Sequence, residues 1–270
     1  MNRATRTCRA MLCFAMLTAS SWPSIASEPQ RPLRVLFVGN SYLYTNNLPG
    51  TVQALAAARG VAIETNMRAE PDYSLSDHLR SRRFAAVLEE SWDWLVLQQG
   101  PSALPDSKRD LIDAARRIAA HLKDKPTRIA LLSVWPARRN VAMSQRAEVS
   151  YREAAAAIDA CVLPVASAWR IARARVDPPS LYQRDGLHPA PVGTLLSAMT
   201  VARGLLGVEP VLDDLAEQAE LIPLLNEAAQ EAQSKETLRC VPSGRLPTLG
   251  SESGEMNMGG GHRRTLGPAH

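Results

Sequence analysis

A regular alternation of short apolar runs with longer helical stretches, from Leu33 to Leu206, is the feature that most constrains the fold. The apolar runs predict buried strands, and the stretches between them repeat apolar residues at helical spacing. Strands that alternate with helices form right-handed βαβ units, which predicts a three-layer α/β/α domain over residues 33–207 with a parallel sheet of about five strands. The predicted strands are Leu33–Val38, Val61–Met67, Trp94–Leu97, Ile129–Val134 and Val162–Val165, and the predicted helices are Pro49–Arg59, Asp106–Leu122, Ser144–Ala160 and Pro189–Leu206.

The first 26 residues have the pattern of a secretory signal peptide. Three arginines precede the apolar stretch Ala10–Leu17, and Ser24-Ile25-Ala26 is typical of a cleavage site. The apolar stretch is well short of the roughly 20 residues that span a membrane, although an uncleaved anchor is the alternative. We therefore expect an exported protein, periplasmic or secreted, with no stable membrane span after cleavage.

The charge and cysteine content of the mature chain differ from those of the whole sequence. The formal net charge is +4, and removal of the three N-terminal arginines leaves 4 − 3 = +1, which gives no electrostatic argument for binding nucleic acid. Cleavage also removes Cys8 and Cys13, so that Cys161 and Cys240 remain. In an exported protein such a pair predicts a disulfide, with two unbonded thiols as an equal alternative.

The sequence changes character beyond Gly207. Residues 211–235 have an acidic amphipathic pattern, which predicts a C-terminal helix packed on the domain. Residues 242–270 are rich in Gly and Ser and have no periodicity, which predicts a disordered tail.

Two polar segments lie where the predicted strands meet the predicted helices. Ser41 follows the first strand, and Asp185 and His188 directly precede the last helix of the domain. A serine hydroxyl needs a base to become a nucleophile, which His188 can supply, and Asp185 can orient the imidazole. The alternatives are an ordinary turn and a helix cap. Neither a metal site nor a cofactor is expected, since no second His or Cys cluster exists.

The order of these segments resembles the SGNH/GDSL hydrolase superfamily. Gly39-Asn40-Ser41 is similar to its first block and Asp185-Gly186-Leu187-His188 to its last, and the segments 39–49 and 97–102 look like a bacterial branch of SGNH proteins. The resemblance runs from about Leu33 to Leu206. It implies the flavodoxin-like SGNH hydrolase fold and a Ser41–His188–Asp185 catalytic triad that works without a cofactor.

The middle blocks depart from the superfamily pattern. The resemblance implies an oxyanion hole made by the N–H groups of Ser41 and Asp72, where Gly is expected at the latter position, and by an amide in place of Asn. Gln99 is favoured over Gln98 for that amide, with the alternative that both only fix the loop. Trp135 follows the fourth strand and is predicted either to line the substrate pocket or to pack in the core.

These features together predict an exported serine esterase of SGNH type. Its expected substrate is a small-molecule or glycan ester, with O-acetyl groups on glycans among the candidates. The alternative is a non-catalytic ligand- or glycan-binding protein that retains the fold, because two of the four blocks depart from the pattern. A nucleotide-binding domain is less favoured, since the turn at 39–42 lacks a glycine-rich phosphate cradle.

Overall fold

Five parallel strands form one sheet, in the order β2-β1-β3-β4-β5, in the computed structural model, which describes residues 31–175, 180–209 and 220–240. Helices cover the sheet, so the predicted α/β fold class is confirmed. The inner strands are mostly apolar because parallel strands are buried on both faces, whereas the edge strand β2 has a mixed sequence with only Ile63 buried. The strands are β1 (Leu33–Gly39), β2 (Ile63–Ala69), β3 (Trp94–Leu97), β4 (Arg128–Leu132) and β5 (Cys161–Leu163).

Nine α-helices lie within the described ranges, and the 3-10 helix Arg138–Met143 precedes the sixth of them. Proline in the first turn starts four of them, since its fixed φ suits that turn and its missing N–H is not needed there. The helices are α1 (Ser41–Tyr44), α2 (Leu48–Ala57), α3 (Leu75–Leu79), α4 (Arg82–Leu88), α5 (Pro105–His121), α6 (Ser144–Ala156), α7 (Val165–Arg173), α8 (Pro191–Leu206) and α9 (Ile222–Lys235). None of these helices, in the ranges described, is long and apolar enough to cross a membrane.

Several element boundaries differ from the sequence prediction. The four shorter helices α1, α3, α4 and α7 were not predicted, and Val165 begins α7 instead of ending the last strand. Within the predicted helix 211–235, Glu220 and Leu221 form a turn and helix begins at Ile222. Residues 210–219, the predicted signal peptide at 1–26 and the predicted tail at 242–270 lie outside the described residues.

The strand register places the predicted site residues at one edge of the sheet. Gly39 at the end of β1 pairs with Ala69 at the end of β2, and Val38 pairs with Leu97 at the end of β3. The loops that follow these strands therefore leave the sheet side by side. Sites in open α/β sheets form at this carboxyl edge.

The C-terminal segment 220–240 is attached near β5, the edge strand at the opposite end of the sheet from β2. Helix α9 packs on α7 and α8, and a disulfide joins Cys161 of β5 to Cys240. The side chain of Arg152 donates to the buried carboxylate of Glu236 at 3.1 Å. Of the two alternatives for the cysteine pair, the structure contains the disulfide.

Candidate active site

Ser41, the predicted nucleophile, is the first residue of α1 and comes two residues after the end of β1. Asn40 caps this short helix by accepting a hydrogen bond from the N–H of Tyr42. Ser41 is buried, with 8% of its surface exposed. Neither its hydroxyl nor its N–H makes a hydrogen bond to another described residue. Both groups are therefore without a hydrogen bond to the described part of the chain.

Buried amides fix the turn that carries Ser41. The Oε1 atom of Gln98 accepts from the N–H of Asn40 at 3.0 Å, and its Nε2 donates to Oδ1 of Asn40 at 3.0 Å. Asn40 in turn donates through Nδ2 to the carbonyl of Tyr73 at 2.9 Å. The loops after β1, β2 and β3 are thus held together by hydrogen bonds of two buried side chains, which are strong in a dry site.

The predicted general base, His188, is held by Asp185 as the sequence implied. Nδ1 of His188 lies 2.6 Å from Oδ2 of Asp185, and Oδ1 accepts from the N–H groups of Leu187 and His188. The hydrogen bond from His188, followed by the one from the Leu187 N–H, lowers the pKa of Asp185 below its ordinary value. Because the carboxylate only accepts, Nδ1 carries the proton and Nε2 is the basic nitrogen. Nε2 has no partner among the described residues.

Two links hold the Ser41 turn against the His188 turn. Nδ2 of Asn46 donates to the carbonyl of Pro189 at 2.8 Å and to Oγ1 of Thr194 at 3.0 Å. The second link runs through Trp135, whose ring meets Tyr42 edge-on at 5.0 Å and whose Nε1 donates to the carbonyl of Leu187 at 3.1 Å. The residues of the predicted triad therefore belong to turns in mutual contact, although Ser41 and His188 are not hydrogen-bonded to each other.

Asp72, predicted in the oxyanion hole, lies in the loop after β2. Its φ of 58° is in the left-handed region, where glycine is favoured. This conformation agrees with its placement at the position where the superfamily has Gly. Its N–H donates to no described residue.

Gln99, the other predicted oxyanion donor, has its amide committed elsewhere. Nε2 donates to Oγ of Ser102 at 2.9 Å and more weakly to the carbonyl of Ser107 at 3.4 Å, while Oε1 accepts from the N–H of Leu75 at 3.0 Å. Its backbone is fixed by the hydroxyl of Tyr151, which the sequence did not single out. To reach an oxyanion, the Gln99 amide has to give up one of these bonds, so the geometry favours the loop-fixing alternative.

Trp135 is a correction to the predicted substrate pocket. It is 2% exposed, and its ring stacks on that of Trp169 with centroids 3.5 Å apart. An indole covered in this way offers no face to a sugar or an acyl chain. The packing alternative therefore describes Trp135, which supports the site from behind Tyr42.

A cavity of about 430 Å³ opens beside the two turns. We call it the front cavity; Tyr42 and Leu187, the chain neighbours of Ser41 and His188, line it together with Asp72 and Gln99. Leu104, which is 57% exposed, stands at its rim. Tyr42 and Leu104 were not singled out from the sequence, because nothing in the local pattern distinguishes them from core residues. Within the described ranges, no cluster of three or more His, Cys, Asp or Glu could hold a metal ion.

Comparisons by sequence and by structure give different results. No protein-family model matches the chain, and no curated protein matches it. Several solved structures do match the chain. One is a candidate SGNH hydrolase from Slackia heliotrinireducens, with a TM-score of 0.56 and 26% identity over 64% of this chain and 98% of that one.

Two further structures share the fold at lower identity. A DUF4886 family protein from Bacteroides uniformis has a TM-score of 0.61 and 19% identity, and covers 75% of this chain and 93% of its own. A candidate GDSL-like lipase from Parabacteroides merdae has a TM-score of 0.51 and 17% identity, and covers 63% and 94%. The resemblance that the two terminal blocks suggested is thus confirmed: the chain has the fold of the SGNH/GDSL hydrolase superfamily.

Proposed function

We propose that this protein is an exported serine ester hydrolase of SGNH type. The observation that carries the proposal is the Asp185–His188 pair, which fixes the imidazole through Nδ1 and leaves Nε2 without a partner among the described residues. The turn bearing this pair is joined to the turn bearing Ser41, whose hydroxyl makes no hydrogen bond within the described part of the chain. A nucleophile, a base and an orienting acid are the parts that acyl transfer requires.

The reaction uses Ser41 and His188 in two half-reactions. Oγ of Ser41 attacks the ester carbonyl while Nε2 of His188 takes its proton, and the imidazolium then protonates the leaving alcohol. Water, activated by the same nitrogen, releases the acid from the acyl-enzyme. The Asp185 carboxylate stabilises the imidazolium in both halves. Approach of Ser41 to His188 on substrate binding completes the pair, since catalytic hydrogen bonds often tighten only in the complex.

The oxyanion is assigned to the N–H groups of Ser41 and Asp72. Both are uncommitted within the described chain, and both follow neighbouring strands at the carboxyl edge. Loss of one such donor typically costs ~3 kcal/mol in the barrier. With the Gln99 amide engaged, we expect slow turnover compared with an enzyme that has three donors.

The fold supports ester chemistry without defining the substrate. Structural neighbours are described as a candidate SGNH hydrolase and a candidate GDSL-like lipase, and a fold alone does not fix an activity. Export is proposed from the signal-peptide pattern of residues 1–26. We propose O-acyl groups on glycans as the substrate class.

Hydrolysis of p-nitrophenyl acetate and of a longer-chain ester by Ser41→Ala tests the proposal. We expect kcat/KM to fall by about 1,000-fold or more, because the nucleophile is lost. Ser91→Ala is the matched control, since Ser91 is exposed and precedes β3 at the opposite edge of the sheet. Hydrolysis that survives in Ser41→Ala would identify another nucleophile.

A non-catalytic binding protein is the second candidate. The observation that favours it is the engagement of both glutamine amides, since Gln98 and Gln99 each use their N–H groups within the protein. This candidate predicts no ester turnover by the unaltered protein, but retained binding of a glycan. The same assay therefore separates the two functions.

A further inference from the structure

A second cavity, of about 900 Å³, lies at the carboxyl end of β2. We call it the β2 groove; it runs between the end of β2 and helix α4 and is lined by Arg68, Glu70 and Tyr73 from one side and by Arg82 and Arg83 from the other. Its size exceeds what hydrolysis of a small ester requires.

The β2 groove carries an excess of positive charge. Three exposed arginines and one glutamate line it, so the formal balance is 3 − 1 = +2. None of the three guanidinium groups makes an ion pair with a described residue, whereas the neighbouring Arg80 is paired with Asp77. A planar guanidinium binds carboxylates in a fixed fork geometry. Arg68 also donates to the carbonyl of Met67 at 3.1 Å, but none of the three charges is neutralised by a described acid, which makes the groove suited to an anion.

One loop separates this groove from the front cavity. Asp72 and Ser74 line the front cavity, while Tyr73 between them lines the β2 groove. The carbonyl of Tyr73 is held by Asn40, the residue before Ser41. The Tyr73 side chain is 38% exposed and rests edge-on against His78, so part of its ring is open at the boundary of the groove. The two cavities are therefore adjacent across residues 72–74.

We infer that the β2 groove binds the carboxylates of an acidic glycan whose ester group is cleaved at Ser41. The inference rests on the proposed function and names its substrate class. Arg68, Arg82 and Arg83 hold sugar carboxylates, and the exposed Tyr73 ring packs against a sugar. The charged residues that line the front cavity are Asp72, Asp110 and Arg139, so its formal charge is 1 − 2 = −1. A cavity of this charge disfavours a carboxylate and receives the neutral acyl end of the ligand.

Acetate release from acetylated polygalacturonate, compared with release from acetylated xylan, tests the inference. We expect a higher kcat/KM on the acidic glycan, and a preference that shrinks as salt is raised from about 0.01 to 0.5 M, because exposed charges are screened. In Arg82→Gln/Arg83→Gln, the ratio of the two kcat/KM values should fall by about fourfold to 25-fold, taking two- to fivefold for each exposed charge pair. Arg117→Gln, an exposed arginine of α5 outside both cavities, should leave that ratio as it is.

Binding of polygalacturonate fragments to Ser41→Ala, measured by calorimetry, separates this inference from the proposed function. Salt-dependent binding that weakens with the two arginine substitutions supports the groove even if no ester is hydrolysed. Ester hydrolysis with equal kcat/KM on the two glycans, and no effect of the arginines on the ratio, overturns the inference while the proposed function stands. Because both arginines are exposed, the variants should fold, which circular dichroism checks.

Discussion

At the residue scale, the charge of Asp185 is the feature that defines the candidate base. Its carboxylate accepts from His188 and from two N–H groups of its own turn, and these bonds lower its pKa. The stabilisation of the folded turn by this charge is therefore fully present above the ordinary Asp pKa. It is lost only as the pH falls through the lowered value.

Asp185→Asn should separate orientation from charge. Asn preserves the size of the side chain and can still accept from the turn N–H groups, but it lacks the charge that stabilises an imidazolium and favours Nδ1 protonation. We expect kcat for p-nitrophenyl acetate to fall by at least about 100-fold, while the fold stays intact and the melting temperature falls by about 4 °C at most.

Asp159→Asn is the matched control for this substitution. Asp159 is exposed, lies before β5 at the opposite edge of the sheet, and has a positive φ that Asn also tolerates. Unchanged kcat in Asp185→Asn would show that the carboxylate is only a turn-forming residue.

Sequence reasoning found the candidate residues but not all of their surroundings. Ser41, Asp185 and His188 were identifiable because each lies in a short polar segment next to a predicted strand or helix. The role of Gln98 was not, because its partner Asn40 is 58 residues away in the chain and only the sheet brings them together. Nor could sequence choose between the two roles of Trp135, since burial on Trp169 depends on tertiary packing.

At the scale of elements, the apolar strands and the long helices were predictable from the sequence, and the short helices were not. Strand β3 and the segment Val35–Val38 of β1 are uninterrupted apolar runs, and helix α5 has apolar residues at helical spacing from Leu111 to Ile118, so the pattern identifies all three elements. Helix α1 has four residues and α3 has five, which is too short for a period to appear. α3 is instead specified by its capping box, in which Ser74 and Asp77 satisfy each other's backbone N–H.

Gly39 is the point at which β1, β3 and the Ser41 turn meet. A Cβ atom at this position would lie 2.1 Å from Oε1 of Gln98 and 2.9 Å from Cδ1 of Leu43, so Gly39→Ala has to displace the amide that fixes Asn40. We expect a loss of about 1–3 kcal/mol in the free energy of unfolding, together with a large fall in kcat. Urea denaturation and the ester assay measure the two effects.

Gly100→Ala provides the comparison for the stability effect. No heavy atom lies within 4 Å of the position that its Cβ would take, and its φ is not in the left-handed region. Its free energy of unfolding should therefore match that of the unaltered protein. Equal stability of the two variants would mean that Gln98 does not hold the Asn40 turn as described.

At the scale of the whole molecule, the last described segment is attached to the domain at several points. Arg175 pairs with Glu231 of α9 at 3.1 Å, Arg203 donates to Asn226 at 2.8 Å, and Arg152 donates to Glu236 beyond the helix. The partly exposed Arg175–Glu231 pair contributes little, and desolvation of the buried Glu236 carboxylate offsets much of its attraction to Arg152, so these contacts do not by themselves explain why the segment is held. The covalent link at Cys240 is the stronger attachment.

The disulfide should therefore provide a measurable part of the stability. It joins residues 79 positions apart, and on the chain-entropy model a loop of this length gives roughly 4 kcal/mol, within a usual range of about 2–5. Cys161→Ala/Cys240→Ala should lower the free energy of unfolding by about that amount in urea denaturation. Because the bond closes the segment that carries α9, hydrogen exchange should accelerate most in α9.

Reduction of the unaltered protein provides the independent comparison. Dithiothreitol should destabilise it to the level of the double variant and should not affect the variant itself. The front cavity and the Ser41 turn are built from the loops after β1, β2 and β3, so ester hydrolysis below the unfolding transition should persist in the double variant. Two thiols that titrate in the unreduced, unfolded protein would contradict the bridge, and equal stability of the reduced and oxidised forms would contradict its role in holding α9.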